Sequence, residues 1–201
     1  MSERKRVYLF KGFERFWHWT QALLIIFMAA TGFEIHGFYR IFGFEQAVNL
    51  HTTAAWALIG VWVFAIFWHL TTGEWRHYIP TRNQFMETIT FYSIGIFKGA
   101  RHPFTVSARN KHNPLQRVAY LLFKLVMAPL IWISGLLYLY YNWWDAWWPD
   151  VLPLAWVALA HTFAAFLLLT FLAGHLYLIT TGDKVFSQLK AMITGWDEVE
   201  E

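Results

Sequence analysis

Cysteine is absent from this chain of 201 residues. That absence excludes disulfides, iron–sulfur clusters or zinc held by thiolates, and haem attached covalently through a Cys-x-x-Cys-His motif. Any redox centre in this chain would therefore have to be held by histidine, of which the sequence contains nine.

Charge is also scarce, since 14% of the residues are charged whereas 57% are hydrophobic and 20% are aromatic. A soluble domain carries about 25% charged residues, so this composition is typical of a membrane protein. The length suits one compact unit, and we expect residues 1–201 to form a single integral membrane domain. The first apolar run is too long for the apolar core of a secretory signal, so we expect it to be retained as a span.

Four apolar segments are long enough to cross a bilayer, which requires about 20 helical residues. They lie at 16–36, 50–72, 115–141 and 154–180. Because the connections at 37–49 and 142–153 are short, we expect an all-α fold in which the spans form an up-down four-helix bundle. Pro129 predicts a kink within the third span.

The middle connection, residues 73–114, is too long for a plain loop. Its stretch QFMETITFYSIGIFKG, at 84–99, is apolar but too short to cross a bilayer. We therefore expect an interfacial helix that lies along the membrane surface. The acidic C-terminal stretch GWDEVEE, at 195–201, is expected to fray.

Basic residues are concentrated before the first span and in the middle connection, whereas the other two connections contain Arg40 alone. An excess of Lys and Arg marks the cytoplasmic side of a membrane protein. We therefore expect both termini and the middle connection to lie in the cytoplasm, with the spans in the inner membrane and no nucleic-acid partner. Of the 16 Lys and Arg residues, those concentrated there are Arg4, Lys5, Arg6, Lys11, Arg15, Arg76, Arg82, Lys98, Arg101, Arg109 and Lys111, with Arg117 at the start of the third span.

Five histidines lie within the apolar spans or at their ends, where ionisable side chains are costly and usually functional. His51 and His161 lie toward the outer side of the membrane. His18, His69 and His175 lie toward the inner side. The histidines therefore occupy two depths.

A weak internal repeat relates the second and fourth spans. The second span opens with HTTAA at 51–55 and the fourth contains HTFAA at 161–165. Each of these spans also carries a second histidine nearer its inner end, so the repeat pairs an outer histidine with an inner one.

The spacing of the histidines favours two stacked haems. His161 and His175 are 14 residues apart, about 40° short of four full helical turns, so both face one side of the helix about 21 Å apart. Each iron would need a second imidazole from another helix. His51 is the outer candidate to pair with His161, whereas His18 and His69 are both candidates for the inner site. Zinc or copper needs ligands that converge on one ion, which two separate depths do not favour.

Two further groups of residues are compatible with haem but also with simpler roles. Glycines within the spans would let a porphyrin approach the backbone, or would serve helix packing. Arginines at the inner surface could meet haem propionates, or could only set the topology. The glycines are Gly60, Gly135 and Gly174, and the arginines are Arg15, Arg101, Arg109 and Arg117.

Three motifs occur together in a specific order. ERFWHWTQALLIIFMAATG at 14–32 contains an Arg…His-Trp…Thr-Gly pattern, HNPLQRVAYLL at 112–122 precedes the third span, and the fourth span carries the 14-residue histidine pair. In these motifs the chain resembles the di-haem cytochrome b membrane subunits of formate dehydrogenases, nickel–iron hydrogenases and related respiratory complexes. The resemblance covers essentially all four spans.

The resemblance implies four axial ligands for two haem b groups. His18 and His175 correspond to the histidines that hold the inner haem in that family, and His51 and His161 to those that hold the outer haem. His69 is an additional inner histidine, which the repeat makes a counterpart of His175, and it remains the alternative inner ligand.

The resemblance also implies a quinone pocket beside the inner haem. Asn113 and Gln116 match the family's Asn and Gln at the start of the third span, where menaquinone or ubiquinone would bind. His112 replaces the usual tyrosine and could carry the quinone's proton, because imidazole titrates near neutrality. A helix start with Asn113 as N-cap and Pro114 as first helical residue explains the same motif, and the two roles are compatible.

Together these features predict a membrane-anchoring electron-transfer subunit of a respiratory oxidoreductase. Electrons would pass between an extracytoplasmic partner, an iron–sulfur or multihaem cytochrome protein, and the membrane quinone pool. The sequence contains no motif for substrate oxidation, so substrate catalysis would belong to the partner. The alternatives are a stand-alone di-haem quinone oxidoreductase and a small transporter whose histidines relay protons or bind metal.

Overall fold

The computed structural model describes residues 4–100, 102–104, 107, 110–148, 150–181 and 185–200. Arg101 and Arg109 lie outside the described residues. The chain divides into two compact units, of which the first comprises residues 1–77, 107–111 and 186–201 and the second residues 78–106 and 112–185.

The described residues contain four helices that are long and apolar enough to cross a membrane. This confirms the prediction of an all-α membrane fold with four spans. The structural bounds of the spans are Gly12–Ile35, Phe44–Thr72, Pro114–Leu139 and Leu154–Leu178.

The first unit is built on a helical hairpin of α1 (Gly12–Ile35) and α2 (Phe44–Thr72). The helices are antiparallel, since Phe13 near the start of α1 lies 5.2 Å from Trp68 near the end of α2, between ring centroids. Midway along the hairpin, Trp62 Nε1 donates a hydrogen bond to Gln21 Oε1 at 3.1 Å.

The turn of this hairpin is shorter than predicted, and Glu34 is the reason. Its Oε1 accepts hydrogen bonds from the backbone N–H groups of Ile41, Phe42 and Gly43 at 2.8, 2.7 and 2.7 Å. These N–H groups end at Gly43, the N-cap of α2, so the carboxylate fixes the loop directly before the helix and lies near its N-terminus, where negative charge is favourable. Helix α2 therefore begins at Phe44 rather than at residue 50, which places His51 about two turns into the helix.

The terminal segments pair with each other, so the prediction of a frayed C-terminal stretch was wrong. Strand β1 (Arg4–Tyr8) pairs antiparallel with β2 (Trp196–Glu200), with Arg6 opposite Glu198. Opposite charges across antiparallel strands are stabilising. The Tyr8 and Trp196 rings also lie 5.0 Å apart.

A two-stranded ribbon is marginal on its own, and the helix that precedes β2 attaches it to α1. This helix, α8, spans Ser187–Thr194. Trp19 Nε1 donates to the Met192 carbonyl at 3.2 Å, and Arg15 Nη1 donates to the Ile193 carbonyl at 2.6 Å. Two of the carbonyls at the end of α8 are thereby satisfied by side chains of α1.

The second unit contains the third and fourth spans. The third span consists of α4 (Pro114–Leu122), a π-helical turn (Phe123–Met127) and α5 (Ala128–Leu139). The irregularity expected at Pro129 takes the form of this wide turn just before it, since proline cannot donate the backbone hydrogen bond of a regular helix. A short helix α6 (Tyr141–Asp145) leads to the fourth span, α7 (Leu154–Leu178).

The middle connection contains the expected helix, although it is short. Helix α3 (Phe85–Ser93) is followed by a 3₁₀ turn at Gly95–Lys98. Thr88 and Phe91 are buried, whereas Met86 and Phe97 are exposed. This amphipathic pattern suits the membrane surface, and the location of α3 at that surface stays a prediction.

Candidate functional site

In the first unit, His51, which was predicted to lie on the outer side, is held by two consecutive residues of the neighbouring helix. His51 Nδ1, on α2, lies 3.0 Å from the Thr31 hydroxyl on α1. That hydroxyl lies 3.0 Å from the Phe27 carbonyl and 3.2 Å from the Met28 carbonyl, to which it donates. A Cβ added at Gly32 would lie 3.6 Å from His51 Cε1, so the imidazole rests against this glycine.

The second unit repeats this arrangement with different residues. His161 Nδ1, on α7, lies 3.2 Å from the Ser134 hydroxyl on α5. The hydroxyl donates to the carbonyls of Leu130 and Ile131 at 2.6 and 3.2 Å. A Cβ at Gly135 would lie 3.0 Å from His161 Cε1, which is closer than ordinary contact.

Each outer histidine therefore meets a hydroxyl–glycine dipeptide from the preceding span. The sequence analysis noted Thr31-Gly32 as part of the first-span pattern and Gly135 as a glycine that could admit a porphyrin, but it did not connect Thr31-Gly32 or Ser134-Gly135 with the histidines. The signal was available, because the repeat HTTAA and HTFAA extends backwards to a Thr-Gly and a Ser-Gly in the span before each histidine. For Gly60 and Gly174, a Cβ would meet no described atom within 4 Å.

The three histidines that were predicted to lie on the inner side have different surroundings. His69 is buried, and its Nδ1 lies 2.6 Å from the Ala65 carbonyl one turn earlier in α2. The His69 ring lies 5.6 Å from that of Trp17, which is edge-on to it, and the His18 ring lies 5.2 Å from that of Trp19. His18 and His69 both belong to the first unit.

His175 lies in the second unit, on the same unbroken helix as His161. Its ring is parallel to that of Phe171, with an interplanar angle of 6° and centroids 6.2 Å apart. The continuity of α7 through both histidines supports the predicted separation of about 21 Å along the axis.

Comparison with known proteins identifies the family. Residues 9–195 match the family described as prokaryotic cytochrome b561. This chain belongs to that family. The protein YdhU of Escherichia coli (strain K12), whose name describes it as a cytochrome, is 32% identical over 205 residues that cover 96% of this chain and 75% of YdhU.

Family membership establishes a multi-pass membrane protein that binds haem b and transfers electrons. It confirms the resemblance to cytochrome b membrane subunits and favours electron transfer over the transporter hypothesis. When bound, haem b supplies an iron that accepts and releases one electron at a time.

The donors of the cytochrome fit this group. Imidazole is a usual axial ligand of haem iron, and a ligating histidine commonly donates its second ring N–H to a nearby oxygen. The Nδ1 atoms of His51 and His161 each lie at hydrogen-bond distance from a hydroxyl oxygen. The glycine beside each ring leaves room for an imidazole close to the backbone.

Asn113 and Gln116, the residues predicted to bind quinone, form the N-terminal cap of α4. Asn113 Oδ1 accepts from Gln116 N at 2.8 Å, and Gln116 Oε1 accepts from Asn113 N at 3.0 Å. This reciprocal capping box with Pro114 at the first position confirms the helix-start interpretation of the motif. Asn113 Nδ2 also donates to the Tyr92 hydroxyl of α3 at 3.3 Å, and burial raises the pKa of Tyr92.

An aromatic and basic cluster surrounds His112, and sequence reasoning did not identify its tyrosines. The buried His112 ring lies 5.2 Å from the Tyr78 ring and 5.0 Å from the Tyr120 ring. Lys124 Nζ lies 3.2 Å from the centre of the Tyr78 ring. Arg117 is buried as well, and its guanidinium donates to the carbonyls of His112 and Ile79.

A buried ionic cluster joins three segments of the first unit. Lys111 Nζ lies 2.9 Å from both carboxylate oxygens of Glu14 and 2.7 Å from Glu74 Oε2. Lys11 Nζ lies 2.6 Å from Glu74 Oε1, and His77 Nε2 lies 3.3 Å from Glu74 Oε2. Although burial raises the pKa of Glu74, its hydrogen bonds with Lys11 and Lys111 lower it to about 2.

Proposed function

We propose that this cytochrome is the membrane-anchoring, di-haem electron-transfer subunit of a respiratory oxidoreductase complex. It passes electrons between an extracytoplasmic redox subunit, an iron–sulfur or multihaem cytochrome protein, and the menaquinone or ubiquinone pool. Substrate catalysis belongs to the partner, and residues 1–201 act as one membrane domain.

The observation that carries this proposal is the matched setting of the two outer histidines. His51 and His161 each place Nδ1 against a hydroxyl and rest the ring on a glycine. Two unrelated packing histidines have no reason to share both contacts, whereas two ligands of one iron have the same geometric need. We assign His51 and His161 to the outer haem on this basis.

For the inner haem, depth supports His18 with His175. Gly32 contacts His51, so these two residues lie at about the same depth, and His18 is 14 residues before Gly32 on α1. That places His18 about 21 Å below the outer site, which equals the separation of the two histidines on α7. His69 is 18 residues beyond His51, about 27 Å along α2, which matches the spacing on α7 less well, although its ring lies 5.6 Å from that of Trp17, the neighbour of His18.

The quinone site is assigned to the inner end of the third span. Asn113 and Gln116 form the cap there, and the buried His112 lies directly before it. His112 would exchange the proton that accompanies quinone reduction or quinol oxidation. Arg15 and Arg117, at the inner ends of the first and third spans, are the proposed contacts of the inner haem propionates.

The charge distribution supports an orientation in the cytoplasmic membrane. Basic residues accumulate at the N-terminus and in the middle connection, and the other connections contain Arg40 alone. The termini and the quinone site would then lie on the cytoplasmic side. The paired outer histidines would lie near the extracytoplasmic partner.

A reduced-minus-oxidised spectrum with a pyridine haemochrome count tests the ligands. Wild type should contain two b haems, and His18→Ala and His51→Ala should each retain one. His69→Ala should retain two. Loss of a haem in His69→Ala but not in His18→Ala would move the inner ligand to α2, and a colourless wild type grown with ample haem would end the di-haem proposal.

Purification from native membranes tests the partner. We expect the tagged cytochrome to co-purify in mild detergent with a redox subunit of the extracytoplasmic side. A solitary chain whose haems are reduced by quinol would instead support the stand-alone quinone oxidoreductase.

A further inference from the structure

We infer that Thr31 and Ser134 are positioning residues for the outer haem, because each hydroxyl determines which nitrogen of its histidine faces the iron. The inference rests on the proposed function, in which His51 and His161 are the outer ligands. It assigns to these two hydroxyls a role in setting the tautomer of the ligands and the reduction potential of the haem they hold.

The tautomer of His51 follows from the direction in which the Thr31 hydroxyl donates its proton. The hydroxyl oxygen lies 3.0 and 3.2 Å from the carbonyl oxygens of Phe27 and Met28. Carbonyls only accept, and a hydroxyl has one proton to donate. That proton therefore points to the carbonyls, and the hydroxyl meets His51 Nδ1, 3.0 Å away, with a lone pair.

It follows that Nδ1 of His51 carries the hydrogen. A neutral imidazole with hydrogen on Nδ1 has its lone pair on Nε2, which is the atom that can bind a metal. The other tautomer would leave two carbonyl oxygens facing the hydroxyl oxygen without a proton between them.

The second unit gives the same result from independent contacts. The Ser134 hydroxyl lies 2.6 Å from the Leu130 carbonyl but 3.2 Å from His161 Nδ1. The shorter contact takes the proton, so His161 Nδ1 is the donor to the serine oxygen. Both outer histidines thus have Nε2 free of hydrogen and able to bind the haem iron.

The same hydrogen bonds bear on the reduction potential. A hydrogen bond from Nδ1–H makes a ligating imidazole a stronger electron donor, which favours the oxidised iron and lowers the potential. Removal of either hydroxyl should therefore raise the potential of the outer haem and leave that of the inner haem in place.

A redox titration of the purified holoprotein tests this in matched variants. Thr31→Val keeps the side-chain shape and removes the hydroxyl, and Ser134→Ala does so in the second unit. Thr31→Ser keeps the hydroxyl. Thr53→Val is the matched control, since the Thr53 hydroxyl also donates to a carbonyl four residues earlier, at 2.8 Å, but is exposed.

We expect Thr31→Val and Ser134→Ala to move one of the two potentials to a more positive value, and the double variant to move the same potential further. The electron paramagnetic resonance signal of that haem should shift in parallel. Thr31→Ser and Thr53→Val should match wild type.

Three results would overturn the inference. The first is unchanged potentials in Thr31→Val and Ser134→Ala with both haems retained. The second is a shift in different haems in these two variants. The third is loss of a haem in both Thr31→Val and Thr31→Ser, which would show that packing rather than the hydroxyl matters.

Loss of a haem in Thr31→Val with recovery in Thr31→Ser supports the inference. Retention of both haems in His51→Ala would instead refute the assignment of His51 as a ligand.

Discussion

Replacing Lys111 with methionine should destabilise the first unit, because its ammonium group pairs with two buried carboxylates. The side chains of Lys111, Glu14 and Glu74 are 5%, 7% and 10% exposed. Removal of one partner of a buried ion pair costs about 3–5 kcal/mol, since the remaining charge is stranded away from water.

The contacts that survive place the expected loss near the lower end of that range. Glu74 would keep Lys11, whose Nζ lies 2.6 Å from Oε1, and Glu14 would keep the backbone N–H of Lys11 at 2.7 Å. We therefore expect Lys111→Met to lower the free energy of unfolding by about 3 kcal/mol, or about 150-fold in the equilibrium constant. Lys11→Met is the matched control.

Lys11 contacts the same carboxylate but its side chain is 50% exposed, so its removal should cost about 0–1 kcal/mol. The assay is reversible unfolding with sodium dodecyl sulfate in mixed micelles, followed by tryptophan fluorescence. In a double-mutant cycle, Glu14→Gln should recover part of the loss caused by Lys111→Met, because it removes the stranded charge. Equal losses in Lys111→Met and Lys11→Met would refute the reasoning.

Three further predictions concern other parts of the cytochrome. Gly135→Ala should cost about 1–3 kcal/mol of stability and lower the haem content, because the added Cβ would lie 3.0 Å from the His161 ring and overpack against it. Gly32→Ala should stay near wild type, because its Cβ would lie 3.6 Å from the His51 ring. A larger loss in Gly32→Ala than in Gly135→Ala would contradict these contacts. Glu74 has a folded pKa of about 2 against an ordinary value of 4.5, so its stabilisation is complete above about pH 4.5 and is lost as the pH falls toward 2. Unfolding measured across that window should depend less on pH in Glu74→Gln, and an unchanged dependence would show that Glu74 is not the group involved. Asn113→Ala and Gln116→Ala should each cost about 1 kcal/mol of stability as lost caps and slow quinone-linked turnover with the haem spectrum intact; loss of the spectrum would point to assembly instead.

The number of spans and the shared face of His161 and His175 were predictable because they depend on local properties. Hydrophobicity over about 20 residues identifies a membrane helix, and helix geometry alone puts His161 and His175 on one face. The motif HNPLQR likewise signalled a helix start through residue preferences that act within one turn, and the capping box confirms it.

Errors arose where a distant residue decides the local structure. Helix α2 begins before the predicted residue 50 because the Glu34 carboxylate accepts hydrogen bonds from the N–H groups directly before the helix. The sequence of the segment that begins at Phe44 does not indicate that Glu34 is its partner. The terminal stretch is a strand because Trp196–Glu200 finds Arg4–Tyr8 at the other end of the chain. An acidic segment without that partner has the composition of a disordered tail.

The sequence by itself therefore determined the membrane character, the four spans, the shared face of His161 and His175 and, through its motifs, the family. These properties follow from composition and from spacing along single helices. Only the tertiary structure decided what each histidine touches, because contacts between helices depend on how their side chains pack and not on their spacing in the chain. The hydroxyl of Thr31 is 20 residues from His51 and that of Ser134 is 27 from His161, and only the packing of paired helices brings each to its imidazole.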